Sequence, residues 1–403
     1  MADGGLVQAA GGVKELMAEA AEYLMSTGRR LPIVLEGGRG ARVVDSAGKD
    51  YVDFVAGVGV NCLGHGHPAI VNAVSEQSQR LIHTSNLYYS EPQIALARRL
   101  VELSFPARAF FCNSGAEANE CAIKLARKWG RRHRGGAYEI LTVERSFHGR
   151  TLATVTATGQ ARYSEAFQPL PSGFRHVSFG DIGALRRATG DRTVAVMLEV
   201  IVGEGGMLLH PPGYLEAVRG WCDEKNLLLI LDEVHTGFGR TGHWFAYQAH
   251  QITPDVMTVA KALGGGLPIG ACLASSRADV FEPGDHGSTF GGNPLACAVA
   301  LEVLRVVEEE GLVAHAREMG DLLAAELWEV PHVKEVRGTG LMQGCVFDRQ
   351  IARELQLACL EHGVIVNAIS DDTLRLVPPL VIGADEIVAG VAGIRGAVAR
   401  IAG

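Results

Sequence analysis

Leu227-Leu228-Leu229-Ile230-Leu231-Asp232-Glu233-Val234-His235 is the stretch on which the reading of this 403-residue chain turns. Five apolar residues in a row, without polar alternation, describe a strand buried on both faces, and a carboxylate closes the run. A second run, Val256-Met257-Thr258-Val259-Ala260, closes on Lys261 and leads into Ala262-Leu263-Gly264-Gly265-Gly266. Further strand candidates lie at Ala109–Cys112, Ile140–Val143, Val194–Val200 and Ala271–Ala274, with helical stretches at 91–103, 115–129 and 213–225. Apolar strands alternating with helices predict an α/β fold with a mostly parallel central sheet covered on both faces. Charged residues at the carboxyl ends of such strands face the crevice where α/β sheets bind ligands.

The flanks read differently. Residues 1–12 are small and Gly/Ala-rich and are expected to fray. Glu15–Met25 reads as an amphipathic helix. Arg42–Asp45 and Tyr51–Phe54 read as a hairpin, and Pro68 as a helix start. Residues 294–327 read as one long helical run. Beyond it, Val333–Val336, Gly340–Phe347, a helix at 350–362, Val364–Val366, Thr373–Val377 and a closing helix from 384 describe a smaller α+β unit. The expected organisation is an N-terminal segment, 1–65, contributing to a small domain, a large domain at 66–305 and a C-terminal small domain at 306–403.

Composition excludes several classes. Hydrophobic residues make up 47% and charged residues 20%, which is too apolar for a disordered chain. The net charge of −8, with no basic stripe, argues against nucleic-acid binding. No stretch of about 18 apolar residues occurs, so no membrane span is expected, and no secretory signal is evident. The eight cysteines contain no C-x-x-C pair and read as reduced, buried thiols of a cytoplasmic protein.

Among the seven lysines, only Lys261 sits at a strand end facing a glycine loop. Partial desolvation there favours the neutral amine, the form that attacks carbonyls; a lysine merely reaching solvent is the alternative. Asp232 needs a partner, because an unpaired buried charge is costly. A protonated pyridine nitrogen, a helix cap or an ion pair would each serve. Asn113-Ser114-Gly115-Ala116-Glu117 has capping-box spacing, and the same helix start would suit a phosphate. His286–Pro294 is a second glycine-rich loop, ordinary when taken alone. His65 and His67 read as loop histidines rather than metal ligands, and no metal is expected. Arg150 and Arg375, flanked by small or apolar residues, read as semi-buried, suited to clamp a carboxylate or to form a structural ion pair.

Taken together, these segments resemble the class III aminotransferases, fold type I enzymes that use pyridoxal 5'-phosphate. The resemblance is carried in order by Leu63–Pro68, His83–Asn86, Asn113–Asn119, Phe147–Arg150, Gly203–Gly206, Asp232–Val234, Gly237–Gly242, Ala260–Gly266 and Gly287–Pro294. It implies that Lys261 carries the cofactor covalently and that Asp232 pairs with the pyridine nitrogen. Phe147 would stack on the ring, Val234 and His235 would contact the cofactor, and Ser114, Gly115 and Ala116 would hold its phosphate. Thr289 would reach the phosphate of a neighbouring subunit's cofactor, making a homodimer with shared sites. Arg150 and Ser288 would contact substrate, and Arg375 would bind the α-carboxylate of glutamate, with Glu204 masking Arg375 when no such carboxylate is present.

Within the family the likeness is strongest to enzymes of arginine biosynthesis that exchange an amino group between N2-acetyl-L-ornithine and 2-oxoglutarate. Three positions depart from the family pattern. Val200 and Val202 stand where Pro and Gln are common, and His235 stands where Gln is common. The ornithine branch carries a Tyr near the position of Val58, and its absence favours the acetylated donor. Ornithine, succinylornithine, 4-aminobutyrate or a diamine are the rival donors, and a non-catalytic regulator is the rival of another class. A nicotinamide-dependent dehydrogenase is excluded, since no G-x-G-x-x-G follows an early strand.

Overall fold

The computed structural model describes residues 12–402. The fraying expected at 1–12 therefore falls, except for Gly12, outside the described residues. In chain order the strands are β1 (Leu35–Arg39), β2 (Arg42–Asp45), β3 (Asp50–Asp53), β4 (Arg108–Cys112), β5 (Glu139–Val143), β6 (Phe174–Val177), β7 (Thr193–Glu199), β8 (Ile201–Val202) and β9 (Leu208–Leu209). They continue with β10 (Leu228–Asp232), β11 (Val256–Val259), β12 (Gly270–Ala274), β13 (Val333–Thr339), β14 (Met342–Phe347), β15 (Val364–Ile365), β16 (Asn367–Ala368) and β17 (Thr373–Leu376).

The central sheet has seven strands in the order β4-β12-β11-β10-β7-β5-β6. β12 is antiparallel to both neighbours, and the remaining pairs are parallel, so six strands point their carboxyl ends to one edge. The mostly parallel α/β expectation is met. Side chains alternate across this sheet into two cores. Leu229, Leu231, Val196, Leu198, Met257 and Val259 enter one core. Leu228, Ile230, Ala195, Met197 and Val256 enter the other, against the helix Gly115–His133.

The two chain ends meet. β3 pairs in parallel with β15, so residues near 50 and near 365 share one four-stranded sheet, β1-β2-β3-β15. A second four-stranded antiparallel sheet, β13-β14-β17-β16, carries Arg375. The buried Arg240 ties this part to the centre by donating to the carbonyls of Leu341, at 3.0 Å, and Pro378.

The long helical run expected at 294–327 is instead two helices, Pro294–Glu309 and Leu312–Trp328. Gly311 separates them at φ +64°, a left-handed turn that glycine adopts without steric cost. β1 and β6 carry polar or glycine residues that hide a strand from hydrophobic patterning, and both were missed by the sequence reading. All eight cysteines are buried and unpaired, as expected.

Candidate active site

Three polar residues form a row at the carboxyl edge of the sheet. Asp232 is in register with Glu199 of β7 on one side and Thr258 of β11 on the other. Each has the parity of the residues that face the helix Gly115–His133, and that helix supplies a partner to two of them. Asn119 does so, donating to Asp232 at 2.7 Å and accepting from the Thr258 hydroxyl at 2.7 Å. His148, in the loop after β5, donates through Nδ1 to the same Asp232 oxygen at 2.8 Å. The other Asp232 oxygen accepts the N–H of Val234 at 3.0 Å. Asp232 is thus a buried carboxylate held in one orientation by three donors, not a helix cap alone.

These loops enclose a cavity of about 460 Å³ lined by Ser114, Gly115, Ala116, Phe147, Arg150, Glu204, Asp232, Val234, His235 and Lys261 among others. Lys261 follows β11 at φ +44°, a strained backbone setting for a lysine and one that recurs at functional sites. Burial brings its amine down to about 8, with the charge of Arg375 acting in the same direction, while Glu204, Asp232 and Glu199 oppose the shift. In cofactor-free protein, acylation of Lys261 by an amine-directed reagent should therefore reach half its limiting rate near pH 8. Surface lysines should need about two units more, and peptide mapping across a pH series reads both.

Ser114 caps the helix Gly115–His133, its hydroxyl accepting from the N–H of Glu117 at 3.2 Å. The first N–H groups of that helix have no intrahelical acceptor and open on the cavity wall, where an anion is favoured. Gly115 is obligatory there, because a Cβ would lie 2.7 Å from a Val234 methyl carbon. His235 is buried between Gly59 and Gly203, and its Nε2 has no partner among the described residues. Burial holds its imidazole well below the usual histidine range, and Lys261, Arg375 and Arg240 add to that effect, so it is neutral. Glu199 is pushed up to about 7 by burial and by the charge of Asp232, with His148 opposing.

Arg375 is buried on β17 and donates to Glu204 at 2.5 Å and to Asn367 at 2.6 Å. Burial raises the Glu204 carboxyl, but Arg375 outweighs it and holds the group below its ordinary value. Arg150 corrects the sequence reading: it is exposed, not semi-buried. Its guanidinium lies 4.0 Å from the Tyr163 ring centre and 5.5 Å from that of Phe147, and it has no carboxylate partner among the described residues. The loop after β5 leaves the sheet edge toward solvent, so this arginine is held by aromatic faces, leaving its donors free.

Ser288 and Thr289 lie outside this cavity, on a second concavity with Asn86, Phe110 and Phe111. The Ser288 hydroxyl accepts from Asn113 at 3.1 Å. His65 pairs with Asp53 at 2.8 Å and His67 caps the helix Pro68–Ser78, the loop roles expected of them. Val58 does not line the cavity, whereas Val60 does. Asn119, His148, Glu199 and Thr258 were missed as site residues. The legible signal was a polar residue at the last inward position of an apolar strand.

A parallel-sheet crevice with a desolvated lysine, a fixed carboxylate and an open helix start has the parts of an enzyme site that could take a carbonyl compound bearing an anionic group. Comparison with known proteins gives the family. The model for aminotransferase class III matches residues 23–398, and the chain belongs to that family of pyridoxal 5'-phosphate enzymes. The acetylornithine aminotransferase of Caldanaerobacter subterraneus is 52% identical over 371 residues, 91% of this chain and 94% of its own. The N-acetylornithine aminotransferase structure from Stenotrophomonas maltophilia is 38% identical, with a TM-score of 0.82 over 96% of this chain and 99% of its own. The ornithine aminotransferase structure from Toxoplasma gondii, described with partial occupancy of PLP at its active site, is 34% identical, with a TM-score of 0.92 over 97% and 95%. The residues present fit such a cofactor: the unpartnered His235 Nε2, the close packing at Gly115 and the fixed Asp232 provide for a polar ring with a phosphate. No helix of the described residues is long and apolar enough to cross a membrane.

Proposed function

We propose that this aminotransferase exchanges an amino group between N2-acetyl-L-ornithine and 2-oxoglutarate, giving N-acetyl-L-glutamate 5-semialdehyde and L-glutamate. The observation that carries the reading is the Arg375–Glu204 pair beside Lys261. The donor reacts at its terminal amine and brings no carboxylate near the reacting carbon, whereas glutamate reacts at its α-amine and does. A buried arginine that can be masked by Glu204 and unmasked by a substrate carboxylate serves both. The identity of about half with acetylornithine aminotransferases over most of the chain supports the same donor.

When bound, pyridoxal 5'-phosphate supplies an electron sink for charge left on the substrate carbon. The neutral amine of Lys261 would hold the cofactor and, once freed, would move a proton as base and acid. Asp232, held in place by His148 and Asn119, would keep a proton on the ring nitrogen. Phe147 would stack on the ring, Val234 and His235 would contact the cofactor, and Ser114, Gly115 and Ala116 would hold its phosphate. Arg150 would bind the distant carboxylate, and Ser288, on the second concavity, would assist it from a covering copy.

The active form in this reading is a cytoplasmic homodimer in which Thr289 serves the partner's phosphate. The exposed apolar residues Leu81, Ile82, Leu87, Tyr88, Tyr89 and Phe290 near that loop support a covering copy. The division at 1–65, 66–305 and 306–403 is part of the same reading, supported by the pairing of β3 with β15.

A donor screen with 2-oxoglutarate tests the assignment. Acetylornithine should be turned over with the highest kcat/KM, and preference for free ornithine or 4-aminobutyrate would refute it. Arg375→Lys loses the planar fork, so the glutamate half-reaction should slow by about tenfold or more relative to the acetylornithine half-reaction. Arg150→Lys should slow both. Single-turnover kinetics of each half-reaction read the difference, and equal losses for Arg375→Lys would remove the switch.

A further inference from the structure

Glu199 ends β7 with its side chain buried, and none of its hydrogen bonds is to a cation. One carboxylate oxygen accepts the N–H of Phe147 at 2.9 Å; the other accepts the N–H of Gly203 at 3.1 Å. Its own carbonyl is taken by His210 Nε2 at 3.0 Å, which fixes the strand end from behind. Phe147 and Gly203 belong to different loops, one following β5 and the other following β8. Neither amide lies in a helix or a sheet ladder, so a single carboxylate provides both with an acceptor.

The two loops touch again two residues on. A Cβ at Gly205 would lie 2.0 Å from the carbonyl oxygen of Arg145, so the Gly203–Gly206 turn packs directly on the loop that carries Phe147. Gly203 itself packs on His235, whose Nδ1 would be 2.6 Å from an added Cβ. Glu204 is the next residue, and its carboxylate is the one paired with Arg375. A displacement of the Gly203 amide is therefore passed to Glu204 with little slack. Two Val residues flank Ile201 in the segment between Glu199 and Gly203. They offer no side-chain hydrogen bond, which leaves the Glu199 carboxylate as the polar anchor of this turn.

The geometry points to Glu199 as a positioning residue for amino-donor choice: it holds Glu204 over Arg375 by fixing the Gly203 amide, and with the same carboxylate it fixes the backbone of Phe147 at the cavity wall. This rests on the reading of Arg375 and Glu204 as a switch. Loosening the clamp unmasks Arg375. That harms a donor lacking a nearby carboxylate and spares or favours glutamate.

The test compares wild type, Glu199→Gln and Glu204→Ala as holoenzymes in single-turnover half-reactions with acetylornithine and with glutamate. Hydrogen–deuterium exchange of the same proteins, with and without cofactor, is followed by mass spectrometry. Glu199→Gln keeps the size but sets an amide NH2 against one of the two N–H donors. The acetylornithine-to-glutamate rate ratio should fall about tenfold in both variants. Exchange in Glu199→Gln should quicken in peptides covering Phe147 and Gly203 and stay unchanged in β10. If Glu204→Ala leaves the ratio unaltered, the switch itself is wrong. If Glu204→Ala shifts the ratio and Glu199→Gln does not, the switch stands and the role of Glu199 is refuted. Faster exchange throughout the sheet with equal loss in both half-reactions would make Glu199 merely structural and would also overturn the proposal. Should Glu199→Gln accumulate poorly, Glu199→Asp takes its place. It keeps the charge but is one methylene too short to reach both amides, and the same outcomes decide.

Discussion

Lys261→Ala is expected to abolish turnover, with a loss of at least about a thousandfold in either half-reaction, because one amine supplies both the covalent attachment and the proton transfer. No other lysine lines the cavity. The fold should survive the change. Lys261 sits in a short turn after β11, and its backbone is set by the flanking buried strand and the Ala262–Gly265 turn rather than by its side chain. Removing a cation also relieves its repulsion with Arg375. The variant should therefore unfold at a denaturant midpoint close to wild type and still bind the cofactor through the phosphate and ring contacts, without the absorbance change that donor addition causes in wild type. Wild-type turnover in Lys261→Ala would refute the central assignment.

Asp232 carries the second large effect, and here the structure alters which substitution is informative. Asp232→Ala would leave His148 Nδ1 without its buried acceptor and Asn119 Nδ2 with only the His148 carbonyl, at a cost of about 1–3 kcal/mol for an unsatisfied buried group. Alanine therefore disturbs the fold as well as the chemistry. Asp232→Asn keeps the shape and one acceptor oxygen while removing the negative charge. It is expected to lower the rate of the chemical step by about a hundredfold or more, the size of effect seen when one preorganised electrostatic partner is lost. The denaturant midpoint should fall less than in the alanine variant. Rapid-mixing kinetics and urea unfolding measured on both variants separate the two effects. Near-normal chemistry in Asp232→Asn would remove this carboxylate from the mechanism.

The row Glu199–Asp232–Thr258 explains why part of the site was readable and part was not. Asp232 and Lys261 stand out in the sequence because a charged residue closing an apolar strand is rare enough to demand a reason. Ser114–Ala116 stand out because cap spacing and a helix start are local properties. The family segments fixed the likeness without any coordinates. Glu199 was hidden because the apolar run continues past it through Val200, Ile201 and Val202, and Thr258 because it lies within a run; strand register is what sets both beside Asp232. His148 is 84 residues from Asp232 and Asn119 is 113, separations at which one sequence carries no pairing signal.

The sequence by itself determined the α/β class, the mostly parallel sheet, the strand-end lysine and carboxylate and the capped helix start at Ser114, because each depends on short-range periodicity, capping or the cost of burying a charge. Tertiary structure alone decided that Arg150 is exposed against Tyr163, that Gly311 divides the long helical run, and that Arg375 meets Glu204 across 171 residues. Those outcomes depend on where loops leave the sheet and on which strands become neighbours. Both are set by the packing of the whole chain, so residues distant in sequence are brought within a hydrogen bond of each other only once the sheets are assembled.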